Sequence, residues 1–328
     1  MTRYEIILGS HMLAERLFGT DLKGLDGFPG ERRYGVATTV DELRAAGPID
    51  DIEVLLTGWG TPSFTEDDLA ALPSLKAIIH AGGVASVLLP PRTTRQLALS
   101  VAADINGIPV AEYTLAMILL ANKKVFESER LYRRRRDFID REETYPHAGN
   151  FGQTVGIIGA SRIGRRLISL LQPFDVAVLV ADPYLAQEDA AALGVTATSL
   201  EQLLAESDVV SLHAPVTPST VGMIGVPQLA AMKDGATLIN TARGVLMDMP
   251  ALEAALQTGR IDAILDVTDP DEPLPAGSIL WDLPNVILTP HIAGSMGTEL
   301  QRIGKHVASE LARFAEGVPF RAEEPGRA

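Results

Sequence analysis

The sequence predicts an α/β chain built on a doubly wound parallel sheet, and three observations carry that expectation. Short apolar runs of strand type alternate with segments of helical spacing along almost the whole chain. One such run, residues 155–158, breaks at Gly159 and passes at once into helical spacing over residues 162–171. An acidic residue, Asp182, closes the next apolar run about twenty residues on. A strand that turns sharply into a helix aims free backbone N–H groups and the positive helix end at one point, which suits a pyrophosphate. The acid after the second strand can accept hydrogen bonds from an adenosine ribose, and its charge disfavours a phosphate on the 2′ oxygen.

Taken in order, residues 4–9, 52–57, 76–80 and 97–102 read as buried parallel strands, with helical patterns between some of them. Thr65-Glu66-Asp67-Asp68 has the form of a capping box, and Pro90-Pro91 marks a loop. From Val110 to about Asp137 the pattern is one long helix, apolar at first and then increasingly charged, followed by a loop over residues 142–152 that contains Pro146. A second domain starts there. Ser199 to Gln202 caps a helix, and residues 208–213, 236–240, 263–266 and 286–289 read as further strands. A final helix is expected from a second capping box at Thr298 to about Ala315, with residues 321–328 as a frayed tail.

Composition narrows the function classes. At 328 residues the chain is long enough for two domains with cores of their own. No apolar run reaches transmembrane length, because the longest, around residues 115–121, is flanked by Glu112 and Lys123. The N-terminus lacks the apolar core of a signal peptide, so the cytoplasm is the expected compartment and no membrane partner is expected. The absence of cysteine excludes disulfides, thiolate catalysis and cysteine-bound metal, and no other metal-ligand spacing is present. A net charge of −14 repels nucleic acid on average, so an anionic substrate would need local cationic groups. One run opposes the trend, Arg130 with Arg133 to Arg136 on a predicted helix. It reads first as a solvated face answering Glu127, Glu129, Asp137 and Asp140, with a subunit contact or an anion lure as alternatives.

In doubly wound sheets, ligands sit outside the carboxyl ends of the strands. The residues that end each strand are therefore the site candidates: Asp182, His213, Thr241 to Arg243, Asp266 and His291. Arg243 follows a strand directly, and its planar fork suits a carboxylate bidentately. It could equally be a surface ion-pair partner. The loop from Asp266 to Pro273 offers carboxylates, and His291 offers an imidazole at the next strand end. An imidazole is the natural proton donor near neutral pH, and a neighbouring carboxylate fixes its tautomer and stabilises its charged form. Read alone, His291 could as well be a satisfied structural histidine.

These residues resemble the D-isomer-specific 2-hydroxyacid dehydrogenases, in chain order and over nearly the whole length. The matching pieces are Gly159-Ala-Ser-Arg-Ile-Gly164, Asp182-Pro183, Ser211-Leu-His-Ala-Pro215, Asn240-Thr-Ala-Arg-Gly244, Leu265-Asp-Val267 and Leu288-Thr-Pro-His-Ile-Ala-Gly294, with Asn106-Gly-Ile-Pro-Val-Ala-Glu112 upstream. The resemblance implies a Rossmann-type coenzyme domain (residues 120–297) inserted into a flavodoxin-like substrate domain (residues 1–119 and 298–328), with the active site in the cleft between them. It also implies a homodimer built largely through the coenzyme domain.

Carried onto this chain, the resemblance makes His291 the acid in reduction and the base in oxidation, and Arg243 the group that binds the carboxylate of a 2-keto acid. NAD would be held by Gly159, Ser161, Arg162, Ile163, Gly164 and Asp182. His213, Ala214, Pro215, Thr241 and Ala242 would line its cleft, and Asp266 would meet the nicotinamide carboxamide. Backbone N–H groups of Gly82, Gly83 and Val84 would grip the substrate carboxylate as a small nest. Three departures stand out. Ser161 replaces the middle glycine of the Gly-x-Gly-x-x-Gly pattern, where a Cβ takes space but a hydroxyl could donate to phosphate. Asp271 holds the gapless position of the family's catalytic glutamate, while Glu272 keeps the Glu-Pro pairing and is the assigned partner of His291. Ala85 stands where the family commonly has aspartate. The expected activity is NAD-dependent interconversion of a small-molecule 2-keto acid and a D-2-hydroxy acid. Two rivals share the glycine turn: a NADH-sensing regulator on the same fold, and a methyltransferase, which has no need of the Arg–acid–His set.

Overall fold

Short runs of β-branched and other apolar residues form two all-parallel sheets, whose central strands are buried on both faces by helices. The computed structural model describes residues 2–324 and divides into two units. One is formed by the chain up to Gly107 and again from Ser295, the other by Ile108–Gly294.

The first unit comprises β1 (Tyr4–Ile7), α1 (His11–Phe18), β2 (Val36–Ala37), α2 (Val40–Ala46), β3 (Val54–Thr57), α3 (Glu66–Ala70), β4 (Ala77–His80), β5 (Ala98–Val101) and the start of α4 (Ala103–Asn122). Its strand order, β2-β1-β3-β4-β5, is the flavodoxin-like one. The capping box expected at Thr65 is present, with Asp68 as its reciprocal acid. One face of the sheet packs on α2 and α3 through Leu43 and Leu69. The other packs on α1 and on the last helix of the chain.

The second unit holds the rest of α4, then α5 (Val125–Arg135), α6 (Arg141–Thr144), β6 (Thr154–Ile158), α7 (Arg162–Leu171), β7 (Ala177–Ala181), α8 (Gln187–Ala192), β8 (Thr196–Ala197), α9 (Leu200–Glu206), β9 (Val209–Leu212), α10 (Val226–Ala231), β10 (Thr237–Asn240), α11 (Met249–Gln257), β11 (Asp262–Leu265) and β12 (Val286–Leu288). Its seven strands run β12-β11-β10-β9-β6-β7-β8. The order reverses between β6 and β9, the switch point at which a doubly wound sheet opens a crevice for a dinucleotide. The chain then returns to the first unit as α12 (Leu300–Ala315), whose Ile303, Val307 and Leu311 lie in the core beside Leu17 of α1.

Four expectations are corrected. The long helix over residues 110–137 is two helices, because Lys124 turns left-handed (φ 51°) and sends its ammonium to the Gly235 carbonyl at 2.8 Å and to Asp262. That helix also begins at Ala103 and runs through Pro109, so the first passage between units falls inside continuous helix at Gly107, earlier than the expected residue 119. The last helix is capped by Glu299 reaching back to the Met296 N–H, and not from Thr298. Residues 321–324 are docked on β5 and are no frayed tail; residues 325–328 of that expectation lie outside the described residues. Helix α4, at 20 residues, is long and apolar enough by those measures to cross a membrane. It carries Asp104 and Glu112, however, and packs Ala111, Ile118 and Ala121 into the core against β6 and β10.

Candidate active site

The coenzyme half is built by the turn after β6. Gly159 has φ 99°, and a Cβ there would come 2.7 Å from the Ala214 nitrogen and 2.8 Å from its Cα, so only glycine lets the turn rest on the end of β9. Ser161 caps α7, its Oγ accepting from Gly164 N–H at 3.4 Å, which leaves its own hydroxyl proton free to point outward. Arg162 and Ile163 open the helix, at its positive end. Asp182 ends β7 with one oxygen on the Ala160 N–H (2.7 Å) and the other on the Tyr184 N–H (2.8 Å). Its carboxylate is thereby fixed beside the glycine turn, as a ribose partner must be. A floor without a side chain, a helix start and an anchored acid together fit a dinucleotide.

His213 follows β9 with its side chain buried. Its ring is 4% exposed and bonded through Nε2 to Ser211 Oγ at 2.8 Å, and burial lowers its pKa to about 4. The backbone of His213 and Ala214, not the imidazole, is what meets the glycine turn. Pro215 is exposed just beyond.

The register of the sheet brings the remaining candidates to one edge. Asn240 is opposite Leu265, and Leu265 opposite Leu288, so the segments after β10, β11 and β12 leave the sheet side by side. The turn after β10 is held by the fully buried Asn240, which accepts from Ala242 N–H (2.9 Å) and donates to the Arg243 carbonyl (2.9 Å). Thr241 is buried against Thr114 of α4, 3.1 Å between hydroxyls. Gly244 lies so close to Thr268 and Asp269 that a Cβ would overlap their backbone. Glycine here lets the Arg243 turn lie directly on the loop that leads to Glu272. The Arg243 guanidinium is exposed, bonds only the Ala242 carbonyl (2.6 Å), and has no acidic partner among the described residues. The surface ion pair considered for it is absent there.

His291 takes φ 55°, in the left-handed region that favours glycine. Asp266 holds it there. This side chain is 1% exposed. It accepts from Thr289 Oγ1 (2.6 Å), Ile292 N–H (2.8 Å) and Ala293 N–H (2.9 Å), while its backbone carbonyl takes the His291 N–H (3.1 Å). Three of the roughly four acceptor sites on the carboxylate are thus used by the histidine loop. Because Thr289 spends its single proton on Asp266, Tyr113 of α4 must be the donor in its 2.9 Å contact with Thr289 Oγ1. Tyr113 and Thr289 are functional candidates that the sequence reading missed. Thr289 sat inside a quoted motif, and Tyr113 had no signal beyond its place on an apolar helix.

The imidazole itself bonds Glu272: Nδ1 lies 2.6 Å from Oε1, with half of the histidine side chain and 39% of the glutamate exposed. Asp271, the gapless alternative, contributes only its carbonyl, to Thr268 Oγ1 at 2.6 Å. A carboxylate accepts and cannot donate, so Nδ1 carries the proton and Nε2 is left for chemistry.

Gly82, Gly83 and Val84 belong to the first unit, just past β4. Among the described residues none of their N–H groups has a protein acceptor. Beneath them His80 is buried, 2.9 Å from Thr57 Oγ1, and burial lowers its pKa to about 4.

Residues 115–293 match the family described as D-isomer specific 2-hydroxyacid dehydrogenase, NAD binding domain, and the chain belongs to that family. By that match the coenzyme is NAD. The chain is 34% identical over 259 residues to the D-3-phosphoglycerate dehydrogenase of Archaeoglobus fulgidus, covering 77% of this chain and 48% of that one. It is 33% identical over 314 residues to the enzyme of that name from Mycobacterium tuberculosis H37Rv, covering 94% and 57%. It thus spans about half the length of the curated relatives it matches. Among solved structures, D-lactate dehydrogenase from Aquifex aeolicus, complexed with NAD and lactic acid, is similar at a TM-score of 0.72 and 28% identity, with 95% of each chain covered.

Proposed function

We propose that the protein is an NAD-dependent oxidoreductase that interconverts 2-keto acids and D-2-hydroxy acids. The observation that carries this reading is the 2.6 Å pair of His291 and Glu272, beside an arginine that has no acidic partner among the described residues. When bound, the coenzyme supplies or accepts the hydride. Arg243 takes the substrate carboxylate and polarises the adjoining carbonyl. His291 hands the Nε2 proton to the carbonyl oxygen in reduction and removes it from the hydroxyl in oxidation. Glu272 stabilises the imidazolium and holds the ring by Nδ1, and Asp266 fixes the loop that presents it. The N–H groups of Gly82, Gly83 and Val84 are proposed to hold the substrate carboxylate as well.

We also propose that the protein is a cytoplasmic homodimer. Val125, Tyr132, Phe138 and Ile139 line a hollow of about 640 Å³ on the second unit, and Phe138 is 80% exposed, which supports a second copy as its cover. Light scattering giving a monomer mass would end that assignment.

The activity is tested by assaying glyoxylate, hydroxypyruvate, pyruvate and bulkier 2-keto acids with NADH, and D-3-phosphoglycerate with NAD after the name of the relatives. Turnover of at least one supports the reading. Tight NADH binding without turnover of any would instead fit a coenzyme-sensing protein.

A further inference from the structure

The last described residues add to the first sheet. Val101 N–H donates to the Ala322 carbonyl (3.0 Å), Glu324 N–H donates to the Leu99 carbonyl (2.9 Å), and Ser100 and Glu323 form an antiparallel bridge. The segment therefore pairs with β5, the edge strand. Its approach is fixed by Glu310, whose fully buried carboxylate accepts from Ser100 Oγ (2.9 Å) and from the Arg321 N–H (3.0 Å). This docking delivers the Glu324 side chain to a loop 238 residues earlier in the chain. There it accepts from Ala85 N–H (2.5 Å), Ser86 N–H (3.1 Å) and Ser86 Oγ (2.6 Å).

The place matters because the loop has no carboxylate of its own. Ala85 is fully buried in the core beside Leu88 and Ile78, where a larger polar side chain would meet apolar neighbours. Directly before it stand Gly83 and Val84, both exposed, and Gly83 lacks even a Cβ contact to restrain it. A glycine-rich stretch loses conformational freedom when it is ordered, so an unanchored nest binds more weakly. Hydrogen bonds to a charged acceptor are the strong kind, and here three converge on one side chain.

We propose that Glu324 is a positioning residue which, from the end of the chain, holds residues 82–86 in the shape that presents the Gly82, Gly83 and Val84 N–H groups to the substrate carboxylate. The proposal rests on the reading of those N–H groups as the substrate nest. A nest that grips the carboxylate before and during reaction supplies uniform binding, so its loss raises KM and spares kcat.

The test compares the full chain with Glu324→Ala and Glu324→Gln, using the best 2-keto acid of the panel. Glu324→Ala is expected to raise KM roughly tenfold, the scale of one charge-assisted hydrogen bond, with kcat and the Kd for NADH unchanged. Glu324→Gln, which keeps an acceptor oxygen, should fall between. Amide hydrogen exchange at residues 82–86 should quicken in Glu324→Ala. An unchanged KM, or equal losses of kcat and coenzyme affinity, overturns the proposal. If no 2-keto acid is turned over by the unaltered protein, the functional reading fails instead, and unchanged exchange at residues 82–86 still refutes the anchor.

Discussion

Two buried histidines make stability fall in mild acid. His80 ends β4 in the first unit and His213 follows β9 in the second, and burial lowers each pKa from 6.5 to about 4. Both rings are neutral in the native state at pH 5, while in the unfolded chain both take up a proton. The contribution is therefore complete above pH 6.5 and is lost as pH falls from 6.5 towards 4. Going to pH 5 crosses roughly 1.5 units at roughly 1.36 kcal/mol each, so each histidine withdraws about 2 kcal/mol. The assay is urea unfolding at pH 7, 6 and 5 for the unaltered protein, His80→Gln and His213→Gln. Each variant starts less stable, since it loses a packed ring and its bond to Thr57 or Ser211. It should then lose about 2 kcal/mol less than the unaltered protein in its own unit's transition between pH 7 and 5. Parallel pH profiles for variant and unaltered protein would refute the argument.

Arg243→Lys keeps the charge but not the fork, and should lower kcat/KM on the order of a hundredfold for every 2-keto acid that is a substrate. A change confined to coenzyme affinity would count against its role. Tyr113→Phe removes the donor to Thr289, and kcat should drop roughly fivefold, about 1 kcal/mol, without a change in the Kd for NADH. Thr289→Val should cost more and Thr289→Ser little, and three variants with equal kcat would sink the idea that Asp266 is held through this chain of bonds.

Much of the architecture was legible because local and tertiary demands agree. Residues 155–158, 237–240 and 263–265 are apolar runs ended by glycine or polar residues, and each became a strand with its candidate residue at the carboxyl end. Helix ends were legible where a side chain caps them, as at Thr65 and Ser199. What stayed hidden depends on partners distant in sequence. Lys123 and Lys124 are ordinary helix formers, and only the Gly235 carbonyl, 111 residues on, explains the break between α4 and α5. Pro109 reads as a helix opener, yet the helix already runs from Ala103. Asp266 read as a coenzyme ligand, and its three bonds to residues 289–293 could not be seen from its own segment. Polar tail residues such as Glu324 suggest fraying until an edge strand takes them in.

The most direct measurement is the turnover of His291→Ala beside that of the unaltered protein, with NADH binding followed by fluorescence in both. The account predicts a kcat at least on the order of a hundredfold lower, the scale of general acid–base catalysis, and an unchanged Kd for NADH. Turnover within a few-fold of the unaltered protein would contradict it, because a group other than the imidazole paired with Glu272 would then be moving the proton.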